Sequence, residues 1–209
     1  VTNAEIHWVH FSSSRMYYQS FVDITTYVNS NGGGFYWVGD IATTEGTPTG
    51  GSYGAWSIAV VYRDKNEKLN NTTVFHGYKA FAGTTDINNA ISYANTNSCN
   101  AANTGVGNSV SSTLSGFLTP KAGTVESSLI VFAGEGDTWG GSEYGYITDA
   151  SNTRRNLSNG LNPNGNIMNA TITRDNNYVR NGKPYYSDNS LGIDIDEYNL
   201  TGILNNNQT

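Results

Sequence analysis

The run Gly54-Ala-Trp-Ser-Ile-Ala-Val-Val-Tyr-Arg63 constrains the fold of this 209-residue chain more than any other stretch. It is apolar, β-branched and aromatic, with no proline and no charge before Arg63. A run of that kind reads as a strand buried on both faces. Thr72-Thr-Val-Phe-His-Gly-Tyr78 is shorter and equally strand-like, and the polar stretch Asp64–Asn71 between them reads as a turn. Two strands joined by a polar turn make a candidate hairpin. The sequence places this pair at the centre of a sandwich, with the remaining chain wrapped around it.

The flanking segments repeat the same texture. Glu5–Phe11 alternates Ile6 and Trp8 against His7 and Val9 and reads as a strand, Ser12–Arg15 as a turn, and Met16–Val22 as an extended aromatic segment. Asp23–Val28 suits either a short helix capped by Asp23 or the end of the preceding strand. Asn29–Gly34 is a loop, and Phe35–Ile41 reads as another strand. Downstream, Thr124–Ala133 reads as a second core strand, Tyr144–Thr148 and Ile167–Arg174 as short strands, and Leu191–Leu200 as an alternating one. Asp149–Asn166 and Asp175–Asn189 read as polar loops. Trp8, Trp37 and Trp56 are the large core candidates.

Strands at short spacing with Gly/Asn turns imply an all-β chain, an antiparallel β-sandwich or jelly roll with long Gly/Asn-rich loops and at most short helices. The least strand-like region, near residues 84–108, reads as an insertion with room for a short helix at Ile87–Tyr93. There is no repeat of 20–50 residues and no Pro-rich linker, so residues 1–209 are expected to form a single domain.

Charge narrows the partners. Only 13% of residues are charged and the net charge is −6, which disfavours a polyanion such as nucleic acid or an anionic membrane surface. No apolar run approaches the roughly 18 residues of a membrane span. Val1 opens a mature-looking segment with no signal peptide, as expected of a processed chain or a piece of a larger one. The single cysteine, Cys99, excludes an internal disulfide and an all-Cys metal site.

The order small-Gly-Ala-Trp-Ser-apolar-apolar-Val-Tyr, polar turn, Leu-x-Asn-x-Thr-Val-Phe-x-Gly-Tyr resembles a β-sandwich domain of large secreted bacterial surface proteins and adhesins. Tyr18-Gln-Ser-Phe-Val-Asp-Ile-Thr-Thr-Tyr-Val28 is similar to that family's aromatic-x-x-x-Val-Asp-Val-Thr-x-x-Val segment. Ser190-Leu-Gly-Ile-Asp-Ile-Asp196 is similar to its Asn-x-Leu-Gly-x-Asp-x-Asp segment. The resemblance spans roughly Tyr17 to Leu204 and implies an extracellular, cell-surface location. In that family a further strand usually follows the Asn-Gln-Thr segment. The chain is therefore expected to be a fragment, or to be completed by a strand from a neighbour, since an open sheet edge needs cover.

Catalytic signatures are weak. Gly50-Gly-Ser-Tyr-Gly54 spells G-x-S-x-G but lacks the strand before and the helix after that a nucleophile elbow needs. His7, His10 and His76 do not form a metal motif, and neither a P-loop nor a dinucleotide fingerprint is present. Glu135, Asp137 and Glu143 around Trp139 are the one arrangement compatible with glycoside hydrolysis, which needs two carboxylates at a set separation. Lys68, Lys79 and Lys121 are the candidates for a Lys–Asn isopeptide crosslink.

Two constellations carry more. Hard cations collect several oxygen ligands, and Glu135, Asp137 and Glu143 lie on one Gly-rich loop. Asp194 and Asp196 alternate on one strand face, preceded by Asp188, and complete a candidate calcium set. A structural reading stands beside it, in which Asp194 and Asp196 bond loop amides. The second constellation is aromatic. Trp139, Tyr144, Tyr185 and Tyr186, with Asp137, supply ring faces for sugar C–H groups and polar groups for hydroxyls. The expected function is an extracellular bacterial surface module of the adhesin type, not an enzyme, binding glycan or peptide with calcium as its candidate cofactor. Its rivals are a structural subunit of a filament, stalk or surface layer completed by strands of neighbouring chains and, last, a secreted glycoside hydrolase.

Overall fold

The computed structural model describes residues 5–12, 15–43, 54–79, 109–134, 136–138, 141–179, 189–190 and 192–208. The chain is largely β with one short helix. It divides into two compact units, one of residues Val1–Val60 and Thr73–Ser115, the other of Val61–Thr72 and Gly116–Thr209.

The first unit holds a hairpin of β1 (Glu5–Ser12) and β2 (Arg15–Phe21), antiparallel from Glu5↔Phe21 to Ser12↔Arg15 with an irregularity between His10 and Ser12. Both strands follow the sequence reading; the expected turn at Ser12–Arg15 lies mostly outside the described residues. A seven-residue helix, α1 (Thr25–Asn31), comes next. Asp23 Oδ1 accepts the Thr25 N–H at 2.8 Å, which satisfies one of the free donors at the helix start. The bonds from Thr25 hold the Asp23 carboxyl below its ordinary range. At the other end Gly32, with φ 68, returns its N–H to Val28 O at 2.8 Å; a positive φ costs glycine nothing. Phe21 and His76 stack with centroids 3.9 Å apart. Burial, with Tyr17 as a second cause, pushes the Tyr78 hydroxyl up to about 12.

The predicted central hairpin takes a different form. Its turn is present: Asn66 N–H bonds Asp64 Oδ1 at 2.9 Å. Residues 54–63 and 72–78, however, form no strand ladder, and neither do residues 35–41. Trp37 is 92% exposed and Trp56 46%, so neither is a core residue; the side chain of Trp8 lies outside the described residues. An apolar run becomes a buried strand only where a neighbour supplies hydrogen bonds and a second layer covers its face. Among the described residues nothing does both for these runs.

The second unit is built on a four-stranded sheet in the order β3-β8-β6-β7. Its strands are β3 (Ser128–Gly134), β6 (Ile172–Arg174), β7 (Asn177–Tyr178) and β8 (Ile193–Asn199). A separate hairpin pairs β4 (Tyr146–Thr148) with β5 (Arg154–Asn156). β3 and β8 are antiparallel from Ser128↔Asn199 to Gly134↔Ile193. β6 and β8 run parallel, so the sheet is mixed and not wholly antiparallel as expected. The cause is local. Asp175 and Asn176 both take positive φ (50 and 56), the geometry of a two-residue type I′ turn, and fold β7 back on β6. The chain then enters β8 on the other side of β6, antiparallel to β7 and hence parallel to β6.

β8 alternates as the sequence indicates, with Asp194, Asp196 and Tyr198 inward. β3 also alternates, but Ile130 and Phe132 lie exposed; it is a half-buried edge strand where a core strand was expected. The buried apolar residues of this unit are Val125, Ile167, Ala170, Tyr198 and Leu200. Beyond the sheet, residues 200–208 continue beside 119–127: Leu200 N–H bonds Ser127 O at 2.8 Å and Thr119 N–H bonds Gln208 O at 3.1 Å. Asn206 Nδ2 reaches the carbonyls of Pro120 and Gly123, each at 3.0 Å.

Candidate functional site

The core of the second unit is half polar. Asn162, Asn169, Thr171, Thr173, Asp194 and Asp196 are all buried, Asn162 at 0% exposure and each Asp at 2%. The parallel register sets Thr173 beside Asp196. From there one chain of contacts runs inward. Thr173 Oγ1 is 2.6 Å from Asp196 Oδ1, and the Asn162 amide is 2.9 Å from Thr173 Oγ1. The other end of that amide is 2.9 Å from Thr171 Oγ1, which lies 2.6 Å from Asn169 Oδ1. Asn169 Nδ2 donates to Leu161 O at 2.8 Å.

These five contacts need five hydrogens. Each threonine supplies one, and each asparagine supplies one at its amino end. The fifth has one source, the carboxyl of Asp196. When Asp196 is protonated and the Asn162 amide turns its Nδ2 toward Thr171, every link has a donor. When Asp196 is ionised, one oxygen–oxygen contact is left empty whichever way the amide lies. Thr171 Oγ1 also lies 3.5 Å from Asp196 Oδ1. Burial raises the Asp196 carboxyl above its ordinary range, and donation from Thr173, from an Asn162 amino end turned toward Thr173, and from Thr171 opposes it.

Asp194 is held differently. Its Oδ1 accepts the Thr171 N–H at 3.1 Å, while its buried Oδ2 has no hydrogen-bond partner. That oxygen abuts Gly136, where an added Cβ would meet it at 2.0 Å and Ala170 N and Met168 O at 2.9 Å. Burial pushes the Asp194 carboxyl up to about 6; neighbouring Asp196 adds to this, and the amides of Thr171, Asn169 and Ala170 oppose it. Asp196 Oδ1 and Asp194 Oδ1 are thus turned to the protein's own hydrogen-bonding groups, whereas Asp194 Oδ2 is not.

The acidic loop converges on Met168. Asp137 N–H donates to Met168 O at 3.1 Å, and the Met168 amide bonds the Glu143 carboxylate. Glu143 also bridges Gly165 and Asn166 through its backbone. Burial and then the charge of Asp137 raise the Glu143 carboxyl. Glu143 Oε2 and Asn166 Oδ1 are buried acceptors with no partner. Among the described residues no group of three or more His, Cys, Asp or Glu is placed to hold a metal ion. Glu135, Trp139, Tyr185, Tyr186 and Asp188 lie outside the described residues. Lys68, an isopeptide candidate, is exposed and pairs with Glu126 at 3.2 Å.

An aromatic face forms on β4 and β5. The register pairs Tyr146 with Asn156 and Thr148 with Arg154, so these four share one side of the hairpin. Tyr144, two residues before Tyr146, lies near-parallel to it, with centroids 6.3 Å apart and planes 11° apart. The Arg154 guanidinium sits 3.5 Å over the Tyr146 ring. Tyr144 is 52% exposed. The connecting loop is fixed by Asp149, whose Oδ1 accepts N–H groups from Ser151 at 2.9 Å and Thr153 at 2.8 Å.

Of the predicted ligand residues, the structure therefore sets Tyr144 on this face and Asp137 beside Glu143. Arg154 and Asn156 were missed because Asp149–Asn166 reads as loop; Tyr146, on the strand read at Tyr144–Thr148, was not singled out as a ligand residue. The signal was the alternating Tyr-x-Tyr of 144–146, which continues the face one strand step further. The polar core left a comparable trace, Thr-x-Thr at 171–173 matching Asp-x-Asp at 194–196.

Comparison with protein-family models, curated proteins and solved structures finds no match for this chain. No helix among the described residues is long and apolar enough to cross a membrane.

Proposed function

We propose that this chain is an extracellular bacterial surface domain of the adhesin type, with a β-sandwich or jelly-roll plan, that binds a glycan without catalysing a reaction. The observation that carries the reading is the exposed face of Tyr144, Tyr146, Arg154 and Asn156. Ring faces accept the C–H faces of a pyranose, and a few fixed polar groups orient its hydroxyls. Arg154 and the Asp149 loop hold the face in place before a ligand arrives, which lowers the cost of binding. Calcium fits the same reading at the Asp137–Glu143 loop, supported by the two orphan oxygens of Glu143 and Asn166. A glycan array probed with the wild-type chain and with Tyr144→Ala tests the reading. Retention of one glycan class that the variant loses is the expected result, and no retention on any glycan would refute it.

A structural-subunit reading has one observation of its own. β3 stands at the edge of its sheet, with no strand on its outer side among the described residues and with Ile130 and Phe132 exposed. Edges of that kind accept strands from neighbours. Concentration-dependent assembly, lost when Val131 is replaced by proline on that edge, is its signature.

A further inference from the structure

The geometry points to a carboxylate on the glycan: the Tyr144–Tyr146–Arg154 face reads an acidic pyranose of the uronic-acid type. This rests on the glycan reading and narrows it.

Two other cations of this unit, Lys68 and Arg174, face carboxylates. Lys68 pairs with Glu126 at 3.2 Å, and Arg174 approaches Asp175 at 3.9 Å and Glu197 at 3.7 Å. Arg154 forms no ion pair among the described residues, and its partner is the π-face of Tyr146, 3.5 Å from the guanidinium carbon. A guanidinium stacked on a ring keeps its N–H groups at the rim of the plane, free to meet a carboxylate in two parallel bonds. The ring also fixes the side chain, so little freedom is lost on binding.

The surroundings select the ligand. Tyr144 offers an exposed ring for the sugar face, Asn156 a donor and an acceptor on the same side, and Arg154 one positive charge. The chain as a whole carries net charge −6. A densely charged polyanion would be repelled by that field, whereas a sugar with a single carboxylate meets the one local cation and little else. Arg155 is the internal control. It pairs with Ile147 in the ladder, so it projects from the opposite side of the hairpin.

The test uses the full chain and matched oligosaccharides, one set containing glucuronic acid and the other its carboxyl-reduced, neutral counterpart, with affinities by calorimetry. Wild type is expected to prefer the acidic set by roughly tenfold or more, the scale of one charge-assisted bidentate contact. Added salt should shrink that preference. Arg154→Gln should lose the preference, binding both sets equally and no more tightly than wild type binds the neutral one, while an unchanged thermal unfolding midpoint shows that the variant is folded. Arg155→Gln should keep the preference. Equal wild-type affinity for both sets, or a preference that survives in Arg154→Gln, overturns the inference and leaves glycan binding standing. Absence of binding to either set, with none on the array, removes the glycan reading and this inference together.

Discussion

Thr173 faces Asp196 across the parallel β6–β8 pair, with the hydroxyl 2.6 Å from the carboxyl oxygen and both residues buried. A carboxylic acid there completes the hydrogen count of the whole inner chain. An amide supplies the same donor, so Asp196→Asn is expected to change stability by less than about 1 kcal/mol. Asp196→Ala empties the position, exposes Thr173 to an unmade bond and should cost on the order of 2–3 kcal/mol. Urea denaturation of both variants at neutral pH decides between them. Equal losses would mean that the carboxylate is ionised in the folded chain.

Asp194 gives the pH dependence its sign. Its folded value, about 6, lies above the ordinary 3.8. The folded state therefore holds this proton more tightly than the unfolded chain does. Its contribution is fully present below about pH 4 and is lost as pH rises through about 6, on the order of 3 kcal/mol in all. The exposed Asp23, with its lowered value, works in the opposite sense at lower pH. The clean measurement is the difference between wild type and Asp194→Asn at pH 4.5 and pH 7.5. If the two titrate in parallel, the burial of Asp194 does not govern the profile.

Gly136 is the position where one methyl group matters most. A Cβ would stand 2.0 Å from Asp194 Oδ2 and 2.9 Å from two backbone atoms, neither of which yields as a flexible side-chain end would. Gly136→Ala is expected to destabilise the chain by about 2 kcal/mol or more. Thermal unfolding reads this directly. An unchanged midpoint would show that the loop before Asp137 moves aside without cost.

Calcium has a specific test at Glu143. If the orphan oxygens of Glu143 and Asn166 hold the ion, CaCl₂ after EDTA should raise the unfolding midpoint. A hundredfold excess over Kd corresponds to roughly 2.7 kcal/mol. Glu143→Gln should abolish the rise. A midpoint indifferent to both reagents removes calcium from the proposed function.

The parts of the fold legible in the sequence were those set by local pattern. The β1–β2 hairpin, the alternation of β8, the Asp64 turn and the short helix after Asp23 are each dictated by residues a few positions apart, although the N-cap is Ile24 and not Asp23. Burial of the Gly54–Arg63 run was not legible, because whether an apolar run is covered depends on chain far away in sequence. The parallel β6–β8 pairing was hidden by Asp175-Asn176, read as loop where it is a two-residue hairpin turn. For the site, the paired Asp194 and Asp196 were visible, but their partners Thr171, Thr173 and Asn162 were not, since a buried hydroxyl and an exposed one look alike in a sequence. Tyr144 was visible, while Arg154 needed the ladder to bring it over Tyr146.

The pairing of residues 200–208 with 119–127 has a mechanical consequence. Those bonds, from Leu200–Ser127 to Gln208–Thr119, extend the β3–β8 ladder toward a shared end, where Gln208 and Thr119 meet. Tension applied at Gln208 against Thr119 loads them in series, one bond at a time, as a zipper is opened. The same tension applied along the strands would load them together. Under a pull of the first kind the Asn-rich tail yields early, at low force, and lengthens the tether before the load reaches Asp196 and the buried chain behind it. Held at that end, the unit would present a compliant stretch in front of a stiff core.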